Sequence, residues 1–159
     1  MNDRSAKPLG RVVAVDFGTK RIGLAISDPQ RTIASPLATY SRQSADADAT
    51  YFCRLVAEES IERFVVGLPV HTSGDESWMS FEARRFGKWL GETTGVAIDF
   101  FDERYTSLEA DQLMAMGKLT RKRRKARRDM LAAQILLSAY LEAAPRGEQP
   151  LKPLEDGDL

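Results

Sequence analysis

Three places in the chain put carboxylates where they could hold a metal ion. Asp16 closes the apolar run Arg11-Val-Val-Ala-Val-Asp16 and opens a tight segment, Phe17-Gly-Thr-Lys-Arg-Ile-Gly23, with glycines and two cations beside it. Desolvating a carboxylate at the end of a buried strand is costly unless a metal or a cation compensates. Asp102-Glu103 ends a second apolar run, Val96-Ala-Ile-Asp-Phe-Phe101, and Asp129 directly follows a dense block of Arg and Lys. One histidine, His71, and one cysteine, Cys53, exclude a His/Cys zinc cluster and an internal disulfide. Any ion held here takes oxygen ligands, which favours Mg2+ or Mn2+. Such ions activate water and stabilise the leaving oxygen in phosphodiester cleavage.

Each acid also has a plainer reading. Asp16 could be a turn residue, and Asp102-Glu103-Arg104 a solvated charge cluster. Strand alternation puts Asp102 and Glu103 on opposite faces, so at most one of them joins Asp16. On a helix, Asp129 shares a face with Ala132, Ala133, Leu136 and Tyr140, which points it inward. If the helix instead began at 129, the acid would serve the helix dipole.

Residues 121–128, Arg-Lys-Arg-Arg-Lys-Ala-Arg-Arg, hold seven of the chain's 23 cations, although the whole chain is formally neutral. The remainder is therefore acidic, with 16 cations against 23 acids. No acid lies within the block to pair at helical spacing, so phosphate binding is the natural relief for its repulsion. Arg121, Lys122, Arg123, Arg124, Lys125, Arg127 and Arg128 are thus candidate nucleic-acid contacts. Lys20 and Arg21 could neutralise phosphate or pair with the nearby carboxylates, and spacing does not separate these options. Trp78 and Trp89 read as packing groups of one helix, and His71 as loop surface.

These groups need a frame. At 159 residues, with 43% hydrophobic and 29% charged, the chain suits one globular domain. No run approaches the length of a membrane span and no signal peptide is evident, so the cytoplasm is the expected compartment. Residues 1–10 read as a flexible lead-in, 11–142 as a single domain and 143–159 as a flexible tail. Strands are expected at 11–16, 21–27 and 32–39 in a meander, then a helix at 45–60 with Ala49, Phe52, Cys53, Val56 and Ala57 in helical register. Phe64-Val-Val-Gly-Leu68 reads as a buried parallel strand. A helix at 77–93 with Met79, Phe86, Trp89 and Leu90 inward, a strand at 96–101, and helices at 107–116 and 122–142 follow. The alternation gives an α/β fold: a mixed five-stranded sheet, three strands in an antiparallel meander plus two parallel, flanked by helices. Asp16 and the Asp102-Glu103 pair then share the carboxyl end of that sheet, where such folds gather active groups.

Four motifs, Asp16-Phe-Gly-Thr-Lys-Arg-Ile-Gly23, Val66-Gly-Leu-Pro69, Asp102-Glu-Arg-Tyr-Thr106 and Asp129-Met-Leu-Ala-Ala133, resemble in order the signatures of the YqgF family. Its members are Holliday-junction-resolvase-like proteins, also described as pre-16S ribosomal RNA nucleases. The resemblance implies a ribonuclease H-like fold, a bacterial cytoplasmic setting and nuclease chemistry with a divalent metal. It places acids at Asp16, Glu103 and Asp129 as catalytic metal ligands, with Arg21, Arg104 and the basic block on the strand. His71-Thr-Ser departs from the pattern expected before Gly74. Three functions follow for testing. The first is a metal-dependent nuclease on pre-ribosomal RNA or branched DNA. The second is a non-catalytic RNA-binding assembly factor. The third is a phosphate loop of the actin and sugar-kinase kind at Asp16-Phe-Gly-Thr19, for which the chain is short. Oligomeric state is not readable from the sequence.

Overall fold

The computed structural model describes residues 10–69, 78–102 and 121–143. Its elements run β1 (Arg11–Asp16), β2 (Arg21–Ser27), β3 (Ala34–Ser41), α1 (Ala45–Glu59), β4 (Ile61–Leu68), α2 (Trp78–Thr94), β5 (Ala97–Asp102) and α3 (Arg121–Ala143). The expected helix at 107–116 and the loop around His71 lie outside the described residues. The strands form one sheet in the order β3-β2-β1-β4-β5. β1–β2 and β2–β3 pair antiparallel, while β4 pairs parallel with both β1 and β5. This is the expected mixed sheet, with the meander on one side and the parallel pair on the other.

The strands form where the chain is apolar. β1 buries Val12 through Val15 completely, and β4 buries Phe64, Val65, Val66 and Leu68, because both lie inside the sheet with helices on each face. β3 begins two residues later than expected, at Ala34 rather than 32. The reason is local: the Asp28 carboxylate accepts from the backbone N–H of Thr32 at 2.7 Å and of Ile33 at 2.8 Å, and from the Thr32 hydroxyl at 2.7 Å. These residues close the β2–β3 turn instead of pairing, and Ile33 stays exposed. Those bonds hold the Asp28 carboxyl down at about 2.

Helices cover both faces. α1 and α2 pack on one, where Phe52, Phe64, Phe86, Leu90 and Phe100 form the larger core. Among the described residues, α3 covers the other, where Val12, Ala14, Ala25 and Val65 meet Ala133, Leu136, Leu137 and Tyr140. Ser44 caps α1 by accepting from the Ala47 N–H, and Ser60 ends it in the left-handed conformation. The buried side of α1 is Asp48, Phe52 and Leu55; of the expected Ala49, Phe52, Cys53, Val56 and Ala57, Phe52 is buried and Val56 packs on the core, while Cys53 and Ala57 are exposed. Tyr40 and the Gln43 backbone bind Asp48 and draw that side inward. On α2 the inward residues include the small Ala83 and Gly87 beside Phe86 and Leu90. Trp89 packs on the core as expected, but Trp78 does not, being 66% exposed at the first turn of α2.

Candidate active site

Alternation along β1 sets the direction of Asp16. Val12 and Ala14 face α3, Val13 and Val15 face the other core, and Asp16 therefore joins the α3 face. Its antiparallel partner is Gly23 on β2, whose partner on β3 is Thr39. The row Asp16, Gly23, Thr39 thus crosses the sheet beneath the first turns of α3.

Gly23 decides how closely that helix comes. A Cβ there would lie 2.0 Å from the Asp129 carbonyl oxygen and 2.9 Å from the Asp129 Cβ, so only glycine fits. The backbone of α3 consequently rests on β2 at Asp129, beside Asp16. Two more bonds fix the placement. Arg21 Nε donates to Asp129 Oδ2 at 3.1 Å, and the Thr39 hydroxyl donates to the Ala126 carbonyl. The far end of α3 is fixed on β5, where the Tyr140 hydroxyl donates to Asp99, which also takes Arg63 at 2.9 Å. Burial, and then the bond to Asp99, push the Tyr140 phenol up.

α3 begins at Arg121, so Asp129 lies in its third turn. A dipole role at the helix N-terminus does not apply at that depth. Asp129 is held instead by its neighbours on the sheet: Arg21, Gly23 and the Thr39–Ala126 bond. For Arg21, the pairing option is the one observed.

Asp102 takes the opposite direction from Asp16. Ile98 and Phe100 belong to the α1–α2 core, so alternation turns Asp102 to that face. Glu103 and Arg104 lie outside the described residues. Among the described residues, no three His, Cys, Asp or Glu side chains gather into a metal-sized group. Two acids border Gly23, and both offer oxygen. That donor chemistry fits Mg2+ or Mn2+ and suits zinc or copper poorly.

The basic block is helical. Arg123, Arg124, Lys125, Arg127 and Arg128 are exposed, and the first turn of α3 carries no acid. Cations crowd the positive end of the helix dipole, the reverse of the favourable distribution. An anion placed there would relieve both the dipole and the side chains. Lys20, in the β1–β2 turn, is exposed at the same carboxyl end of the sheet. Sequence reading missed the parts played by Gly23 and Thr39. The available signal was a glycine inside an otherwise apolar strand, which marks close backbone approach.

A family model described as RuvX, Holliday junction resolvase, matches residues 10–143. Among curated proteins, one from Rhodopirellula baltica named "Putative pre-16S rRNA nuclease" is 48% identical over 92% of this chain and 86% of its own length. One of the same name from Koribacter versatilis is 37% identical over 91% of this chain and 94% of its own. Among solved structures, T. thermophilus RuvC in complex with a Holliday junction substrate superposes with a TM-score of 0.52 at 13% identity, covering 89% of this chain and 99% of that one. That likeness establishes the fold as ribonuclease H-like. Among the described residues, no helix is long and apolar enough to cross a membrane.

Proposed function

The chain belongs to the RuvX (YqgF) family, and on that premise we propose that it is a metal-dependent nuclease acting on structured nucleic acid. Its substrate on this reading is pre-16S ribosomal RNA, the substrate in the names of its relatives, cut at the 5′ end as the family resemblance implies. The observation that carries the proposal is the meeting of Asp16 and Asp129 at Gly23, beside an exposed basic turn of the same helix. Carboxylates and phosphate-binding cations are thereby set next to each other by one packing contact.

Asp16, Glu103 and Asp129 would hold Mg2+ or Mn2+. Glu103 completes the set by resemblance, and the turn of Asp102 to the α1–α2 face leaves that role to its neighbour. Bound there, a divalent ion would offset the charge of the phosphate and lower the pKa of a water, so that the water could give up a proton and serve as the nucleophile. The remaining work falls to the chain itself. Lys20 and the cations at 121–128, with Arg104, hold the phosphates and so orient the scissile bond. Arg21 orients Asp129 through the 3.1 Å bond. Gly23 keeps α3 low enough for the two carboxylates to share one site. The cytoplasm is the compartment in which this substrate would be met.

A Holliday-junction activity is the second reading, supported by the printed description of the family model. Both are tested by incubating the protein with a pre-ribosomal RNA and with a four-way DNA junction, each with Mg2+, Mn2+ or chelator, beside Asp16→Asn. Cleavage of the RNA should require metal and fall about 10³-fold in Asp16→Asn, the rate equivalent of several kcal/mol of lost charge stabilisation. RNA binding should persist in the variant. Cleavage that ignores the substitution would remove Asp16 from the site, and a wild type inert with every metal would favour an RNA-binding assembly factor.

A further inference from the structure

Phe17, the residue after Asp16, leaves the α3 face and packs into the opposite core. Its ring lies 5.1 Å from that of Phe86 on α2. The guanidinium of Arg42 stands 5.4 Å from the centre of each of these two rings. Arg42 is itself held from behind. Its Nε reaches Asp48 Oδ2 at 3.5 Å, and Asp48 is buried on α1, where its Oδ1 accepts from the Tyr40 hydroxyl at 2.6 Å and the Gln43 N–H at 3.0 Å. The Arg42 backbone N–H also donates to the Lys20 carbonyl at 2.9 Å. Both ends of the β1–β2 turn are therefore fastened to one residue, Phe17 through the guanidinium and Lys20 through the main chain. The turn has no slack of its own, since a Cβ at Gly18 would stand 2.3 Å from the Arg21 carbonyl oxygen.

We propose that Arg42 is a positioning residue for Asp16: it clamps the Phe17–Lys20 turn to the α1–α2 core and so fixes the direction of the Asp16 carboxylate. The inference rests on the metal-site reading of Asp16 given above. Arg42 acts through Phe17 and Lys20 and needs no contact with substrate. A planar guanidinium is suited to the place, because it offers faces to two rings while its edge meets a carboxylate. Lysine could keep the charge but not that stacking.

The test compares wild type, Arg42→Met, Arg42→Lys and a control, Thr94→Val, which weakens the end of α2 by removing the hydroxyl's bonds to the Leu90 carbonyl and the Val96 N–H. Amide exchange at residues 17–20 and Mn2+ affinity by calorimetry are measured well below each variant's Tm. Arg42→Met should speed exchange in the turn and weaken Mn2+ binding, each by about tenfold, the scale of one desolvated cation–ring interaction. Arg42→Lys should fall between, and Thr94→Val should change neither despite a lower Tm. Unchanged exchange in both Arg42 variants would overturn the clamp. A loosened turn with wild-type Mn2+ affinity would overturn its link to Asp16. Should the wild type bind Mn2+ no better than Asp16→Asn, the metal reading fails instead, and turn exchange alone decides the clamp.

Discussion

On its α1–α2 face the sheet meets Phe52, Phe64, Phe86 and Phe100; on its α3 face it meets Val12, Ala14, Ala25 and Ala133. The first face is deep and aromatic. Phe52 alone touches Tyr40, Tyr51, Phe64, Phe86 and Trp89 ring to ring, at centroid distances of 5.2 to 6.5 Å. The second sets short side chains of the sheet, Val12, Ala14, Ala25 and Val65, against Leu136, Leu137 and Tyr140 of α3, with polar groups woven through it: Arg21 on Asp129, Thr39 on Ala126, Gln134 on Ala34, Tyr140 on Asp99. Large side chains remove more apolar surface from water and so carry more of the folding free energy. Small ones let a helix backbone come down onto strands and bring acids from distant segments together. The comparison teaches a division of labour: the aromatic face carries most of the large buried rings and anchors the turn after Asp16, and the other spends its packing on placing Asp129.

Separating the two faces by mutation tests that division. Phe52→Ala should give the largest effect, a loss of about 3–5 kcal/mol in stability by denaturant titration. Its Mn2+ affinity should stay near wild type at temperatures where the variant remains folded. Equal loss of both would mean that Phe52, and not only the Arg42 contact with Phe17 and Phe86, shapes the site. Gly23→Ala should act the other way round. Its Cβ must lift α3 off β2, costing about 1–3 kcal/mol as overpacking, yet metal affinity and cleavage should fall further than that stability loss explains. A Gly23→Ala protein that loses stability but keeps Mn2+ binding would break the argument for close approach.

A milder change sharpens the picture of the α3 face. Replacing Lys125 and Arg127 together with Ala leaves the core untouched, as both are exposed. Nucleic-acid affinity should weaken similarly for all sequences. The slope of log K against log salt should become shallower by about 1.5 if both contact phosphate. An unaltered slope would remove the exposed side of α3 from the interface.

The smallest effect concerns pH. On the aromatic face, burial and then the bond to Asp48 push the Tyr40 phenol up to about 12. Its contribution to stability is fully present below pH 10. It is lost as the pH rises towards 12, because the unfolded phenol ionises first. Tyr40→Phe should flatten that alkaline fall in stability, and an unchanged alkaline limb would assign it to other groups.

Much of the frame was legible because the apolar runs were short and well separated. β1 and β2 fall at the expected residues, and the parallel strand at 64–68 is found inside β4. The β3 boundary was not legible, because Asp28 takes over backbone groups through a side chain, and periodicity does not register such bonds. The buried side of α1 was missed in part for the same reason: a buried acid, Asp48, looks like surface in a hydrophobic pattern until Tyr40 is known to meet it. Trp78 misled in the opposite sense: a large ring reads as core in a hydrophobic pattern, yet at the start of α2 it is exposed. Within the site, the inward side of Asp129 could be read from helical spacing. Its meeting with Asp16 could not, because it depends on α3 crossing β2 at Gly23, a contact between segments with no pattern in common.

The Arg21–Asp129 bond spans 108 residues of sequence. On a ribosome, where the chain emerges from its N-terminus, Asp16 and Gly23 are made about a hundred residues before the helix they meet. Until α3 docks, Val12, Ala14, Ala25 and Val65 lack its cover, and the two acids are not yet neighbours. Contacts of such long range slow folding, and uncovered apolar strands are prone to associate. One docking event thus ends two conditions together, so that an unfinished chain is both sticky and chemically silent.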